Sequence, residues 1–109
     1  MAKLEKTLSG NFDTILRKIE EGVLEASVSA SLEDGCDWRG SDGSRCCVRV
    51  FERYSYFGGN RVSMNVTLYQ TGNAIKLCAV TSGGSQAMFF KINTVGEETF
   101  LETLEECLQ

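Results

Sequence analysis

The chain's 109 residues suit one domain, here residues 1–109, and a composition of 42% hydrophobic and 24% charged residues without Pro excludes collagen, low-complexity disorder and a Pro-rich recognition arm. The formal net charge is −4 and there is no histidine, so the chain cannot build a Ser-His-Asp triad, a Cys-His pair, an HExxH zinc motif or a histidine phosphocarrier from its own residues. Apolar runs such as Cys46–Val48 and Ala87–Phe90 fall far short of the roughly 20 residues of a membrane helix, and residues 1–6 lack an apolar signal core, so a cytoplasmic protein with no membrane partner is expected.

From Leu8 the apolar residues Phe12, Ile15, Leu16, Ile19 and Val23 recur every three or four positions, one stripe of a helix of about four turns, with Ser9 or Asn11 as its cap. At Ala26 the period becomes two: Ala26, Val28, Ala30 and Leu32 alternate with Ser27, Ser29, Ser31 and Glu33, which predicts a half-buried strand. Residues Asp34 to Arg45, with three Asp, three Gly and Trp38, show neither period and read as a long loop. Strands follow over Cys46–Tyr56, Arg61–Gln70 and Ala74–Ser82, divided by Gly58-Gly59-Asn60 and Thr71-Gly72-Asn73, both hairpin signals. After Gly83-Gly84-Ser85-Gln86, residues Met88 to Asn93 read as a short fifth strand or an irregular connector. Thr94-Val95-Gly96-Glu97 matches a capping box, and Phe100, Leu101, Leu104, Cys107 and Leu108 form a last helical stripe. The expected fold is an α+β two-layer sandwich: an N-terminal helix, a four- or five-stranded antiparallel meander and a C-terminal helix, with both helices on one face.

The other face carries the functional expectation. A two-residue turn at Gly72-Asn73 pairs Tyr69 with Lys76 and Thr67 with Cys78. Keeping Val48 and Val50 inward requires a three-residue loop at Gly58 to Asn60, which pairs Arg49 with Tyr69, Phe51 with Thr67 and Arg53 with Asn65. The uncovered face then shows Arg49, Phe51, Arg53, Tyr69 and Lys76, cationic and partly aromatic. Charge segregation agrees, since residues 39–91 hold seven bases and two acids while the remainder holds four bases and thirteen acids. Solubility alone explains exposed Arg, Lys and Thr on strands. Phe51, Tyr69 and Val80 are more apolar than solubility needs, which points to a protein partner or a second copy of the chain. The pocket near Phe89 and Phe90 is a second candidate contact for such a partner, and a small anionic or amphipathic ligand bound in a cleft between the sheet and the C-terminal helix is the alternative. Nucleic acid is not expected, because stacking platforms display two or three exposed aromatics on a basic domain.

Five cysteines form no CxxC pair and no disulfide framework, and Cys36, Cys46 and Cys47 match no common zinc spacing, so neither a metal nor a cofactor is expected. Cys47 is predicted to face outward between Arg45 and Arg49, whose charges would lower its pKa and make it a reactive-thiol candidate. Glu52 breaks the inward apolar pattern, which either buries a carboxylate or places a β-bulge near Phe51. No paired catalytic carboxylates are visible, and Gly83-Gly84-Ser85 fits no phosphate-loop pattern. A non-enzymatic binding module is therefore the leading reading.

The segment from Gly83 to Asn93, Gly-Gly-Ser-Gln-Ala-Met-Phe-Phe-Lys-Ile-Asn, followed by Gly96-Glu97-Glu98 and Phe100-Leu101, resembles a family of small bacterial proteins of unknown function. The resemblance spans the chain in length and layout. It implies a bacterial cytosolic setting and no assigned activity or catalytic residue.

Overall fold

The structure is a computed structural model and describes residues 1–54, 60–83 and 90–109, the side chains of 90–95 excepted. The chain runs β1 (Ala2–Leu8), α1 (Phe12–Glu25), β2 (Ser31–Arg39), β3 (Arg45–Tyr54), β4 (Arg61–Thr71), β5 (Ala74–Gly83) and α2 (Phe90–Cys107). All five strands pair antiparallel in the order β1-β5-β4-β3-β2, which makes β4 central and leaves β1 and β2 as edges. Phe12, Ile19 and Val23 of α1 and Phe100, Leu101 and Leu104 of α2 share one core with the inward residues of β3, β4 and β5. The α+β class and the two helices on one side of the sheet agree with the sequence reading.

Asn11 caps α1, its side-chain oxygen accepting from the Thr14 N–H at 2.9 Å, and Leu8 and Ser9 lie before the helix. Residues ahead of it form β1, a strand the sequence analysis did not predict. Its inward positions are Ala2, Leu4, Lys6 and Leu8, and Lys6 spoils the alternation. A lysine is tolerated there because β1 is an edge, where its ammonium reaches Glu105 at 3.4 Å.

The strand expected over 26–33 and the loop expected over 34–45 are both corrected. Ala26 is the α1 C-cap, Val28 is fully exposed, and the Ser27 and Ser29 hydroxyls bond each other at 3.0 Å, so small residues imitated a strand period inside a turn. β2 begins at Ser31 and continues to Arg39, closing on β3 through a turn at Gly40 to Ser44 in which Gly43 has φ +88°. As an edge strand exposed along nearly its whole length, β2 has no buried face to impose alternation. Its register shifts between Leu32 and Asp34, opposite Phe51 and Val50, so a bulge does lie near Phe51, with its extra residue in β2.

Residues 90–93 open α2, so the fifth strand of the described residues comes from the N-terminus and not from 90–93. Met88 and Phe89 lie outside the described residues. Glu97, expected as the reciprocal half of a capping box, is instead buried inside the helix. Its carboxylate accepts from the Gly83 N–H at 2.8 Å and pairs with the Met1 ammonium at 2.7 Å, tying α2 to the sheet end.

The helices meet where α1 offers Gly22 to Cys107 of α2. A Cβ on Gly22 would lie 2.3 Å from the Cys107 sulfur. Gly22→Ala is therefore expected to destabilise the fold by about 1–3 kcal/mol through overpacking, despite alanine's better helix propensity. Thermal unfolding should show the loss, and adding Cys107→Ala should recover most of it.

Candidate functional site

β3 decides what each face carries. Its register on β4 pairs Arg49 with Val66, Phe51 with Met64 and Arg53 with Val62, three positions away from the expected pairing. An odd displacement exchanges the faces of a strand. Arg45, Cys47, Arg49, Phe51 and Arg53 therefore point toward the helices, and Cys46, Val48, Val50 and Glu52 point away. Phe51 is completely buried and Cys47 nearly so. The expected placement of Arg49, Phe51, Arg53 and Cys47 on the uncovered face is thus overturned, whereas the pairings Tyr69 with Lys76 and Thr67 with Cys78 are found.

The inward arginines are engaged within the fold. Arg49 pairs with Glu20 of α1 at 3.0 Å and with Asp37 of β2 at 3.1 Å, while its Nη1 donates to the Val48 and Cys36 carbonyls at 2.9 and 3.2 Å. Gly35 stands opposite Arg49, and a Cβ there would lie 2.6 Å from the Val48 carbonyl oxygen and 3.0 Å from the Arg49 stem, so the glycine makes room for the guanidinium. Arg45 pairs with Asp13 at 3.0 Å and stacks over Phe12, and Arg53 donates to the Thr103 hydroxyl at 3.1 Å and stacks over Phe100. Each arginine lays its apolar stem on the core and sends its charge to the margin.

Cys47 donates to Asp37 Oδ1 at 2.7 Å. Burial, and next the Asp37 carboxylate, push its thiol up to about 11, opposite to the expected direction, with Arg49 and Arg45 only partly offsetting them. The Cys47 and Arg49 hydrogen bonds hold the Asp37 carboxyl below the usual carboxylate range. Two results should follow. Iodoacetamide at neutral pH should modify exposed Cys36 well before Cys47, which reacts only on unfolding. Because the folded state binds the Cys47 proton more tightly than the unfolded state, this contribution is present below about pH 9 and lost as the pH rises through about 11. The alkaline fall in melting temperature should be shallower in Cys47→Ala.

The open face is read off the registers as rows crossing all five strands. One row is Thr7, Lys76, Tyr69, Cys46 and Trp38; the next is Glu5, Cys78, Thr67, Val48 and Cys36; a third is Lys3, Val80, Asn65, Val50 and Asp34. Charge on this face is mixed, not cationic: Lys3, Arg61 and Lys76 stand among Glu5, Glu33, Asp34 and Glu52. Glu52 faces outward and pairs with Arg61 at 2.7 Å, so it is neither a buried acid nor a bulge residue. Cys46, Val48, Val50, Cys78 and Val80 are half-buried, with Trp38, 63% exposed, and Tyr69, 43% exposed, on either side of Cys46 at one end of the patch.

A hollow of about 380 Å³ on this face is lined by Glu5, Thr67, Tyr69, Lys76 and Cys78 among others. The groove between β1 and α2, about 440 Å³, is a mixed-charge cleft lined by Glu98, Glu102 and Glu105 together with Lys3 and Met1. Phe89 lies outside the described residues, as does the Phe90 side chain.

Val48, Val50, Cys46 and Trp38 were missed as face residues because both phases of β3 carry apolar side chains and both place charge inward. One phase buries Glu52, and the other buries the stems of three arginines. Arginine's long stem makes the second phase the favourable one, so Glu52 was the usable signal.

No described helix is long and apolar enough to cross a membrane. Among the described residues, no group of three His, Cys, Asp or Glu side chains is placed to hold a metal ion. One family model, described as a family of unknown function, matches residues 1–109. No curated protein matches the chain.

Proposed function

Because the chain belongs to the family of unknown function DUF6054, which brings no catalytic residue to carry over, we propose from the geometry that it is a non-enzymatic module of the bacterial cytosol acting by protein association through its open sheet face. The supporting observation is the half-buried patch of Cys46, Val48, Val50, Cys78 and Val80, flanked by exposed Trp38 and Tyr69 on the side that both helices leave bare. Apolar centres with aromatic anchors and a polar margin characterise association surfaces. Mixed charge, with four acids to three bases, fits another protein surface of like composition, a second copy included, better than it fits an anion or a nucleic acid.

Size exclusion with light scattering at rising concentration tests this reading. The expected mass climbs toward twice the 12.0 kDa of one chain. Val50→Lys should hold it at one chain without changing the circular dichroism spectrum, because Val50 lies outside the core. A wild-type chain that stays monomeric at every concentration removes self-association through this face.

A further inference from the structure

Resting on that association reading, we propose that two copies pack sheet to sheet about a two-fold axis running along β4, with Lys3 of each copy over Asp34 of the other. The row Lys3, Val80, Asn65, Val50, Asp34 crosses β1, β5, β4, β3 and β2 in order. Rotation about an axis along β4 exchanges β1 with β2 and β5 with β3, and it keeps every row at its own height. Val80 then meets Val50, Asn65 meets Asn65, and each terminal lysine meets an aspartate. The row reads alike from both ends apart from a reversal of charge, which is the pattern an isologous contact needs.

An axis across the strands along this same row sets Lys3 on Lys3 and Asp34 on Asp34, two repulsions in place of two attractions. Along β4, the two rows toward Tyr69 add no like-charge opposition, since Lys76 meets Cys46 and Glu5 meets Cys36, while Arg61 at the other end of β4 meets its own copy with Glu52 and Glu33 beside each guanidinium. Tyr69 meets its own copy on the axis, where two rings can stack. The face measures about 24 Å across five strands and about as much along them, roughly 600 Å² before side-chain relief. That approaches the roughly 800 Å² per partner of a standard interface. A two-fold along β4 sets the two central strands parallel, within the aligned class of sheet packing.

Charge reversal isolates the contact. Lys3 and Asp34 sit on opposite edges of one sheet, about 19 Å apart by strand spacing and beyond the Debye length of about 8 Å at physiological salt. Within one chain they have no appreciable direct interaction, so coupling between them reports a second chain. Sedimentation equilibrium of Lys3→Asp, Asp34→Lys and the double variant is the experiment, with circular dichroism as a fold control. Each single change is expected to weaken the dimer about tenfold or more, and the double change to restore it to within about threefold of wild type. Singles that dimerise like wild type, or a double no tighter than its singles, overturn the two-fold arrangement. If Val50→Lys still abolishes the dimer, the association reading survives that failure; a wild-type monomer removes both. Should a single variant fail to fold, Lys3→Glu with Asp34→Arg supplies the same comparison.

Discussion

Phe51→Ala is expected to lower stability by about 3–5 kcal/mol, a large part of what a domain of this size possesses. Phe51 sits on β3 opposite Met64, fully buried beneath the helices, and the space it leaves is bounded by elements that cannot collapse together without moving a strand. Thermal unfolding should fall by more than about 12 °C. Val50→Ala, one position away on the other face, should change stability by about 1 kcal/mol or less, because its side chain is already half in water. Equal losses at the two positions would contradict the assignment of faces.

Arg49→Ala is the second large effect, at about 2 kcal/mol. The guanidinium joins three elements: Glu20 on α1, Asp37 on β2 and its own strand β3. Its side chain is only 13% exposed, whereas Glu20 and Asp37 are 31% and 57% exposed, so water partly compensates the two carboxylates once the cation is gone. Arg49→Lys should recover less than half of the loss, since one ammonium cannot serve Glu20, Asp37 and two carbonyls from a planar fork. Arg61→Ala, which removes an exposed pair with Glu52, should cost less than about 1 kcal/mol. Urea unfolding of the three variants compares them directly, and Arg49→Ala matching Arg61→Ala would show that Arg49 does not tie the helix layer to the β2–β3 hairpin.

Wherever burial imposes a period, the fold is legible in the residues. Val62, Met64, Val66 and Leu68 alternate against polar neighbours and form β4, and Ile19 and Val23 with Phe100 and Leu104 form the helix stripes. Gly72, with φ +58°, sits in the tight turn its sequence predicts and fixes the β4–β5 register. Legibility fails at the edges. β1 and β2 lie at the sheet's two ends, Lys6 breaks the pattern of one, and solvent surrounds most of the other. It fails also on β3, where apolar residues occupy both phases. There the phase follows from pairing with β4, a non-local fact that no single strand encodes. The expected cationic face depended on that one register, and it vanished with it, while Tyr69 and Lys76, placed by the well-defined hairpin, remain side by side on the open face.

Nuclear Overhauser contacts between the backbones of β3 and β4 test the account most directly, since directly opposed residues lie about 4.5–5.5 Å apart at Cα. The predicted pattern joins Arg49 to Val66 and Phe51 to Met64, and so turns Val48 and Val50 to the open face. Contacts joining Arg49 to Tyr69 and Phe51 to Thr67 would contradict it, returning the arginines to the uncovered side and removing the apolar patch on which the association rests.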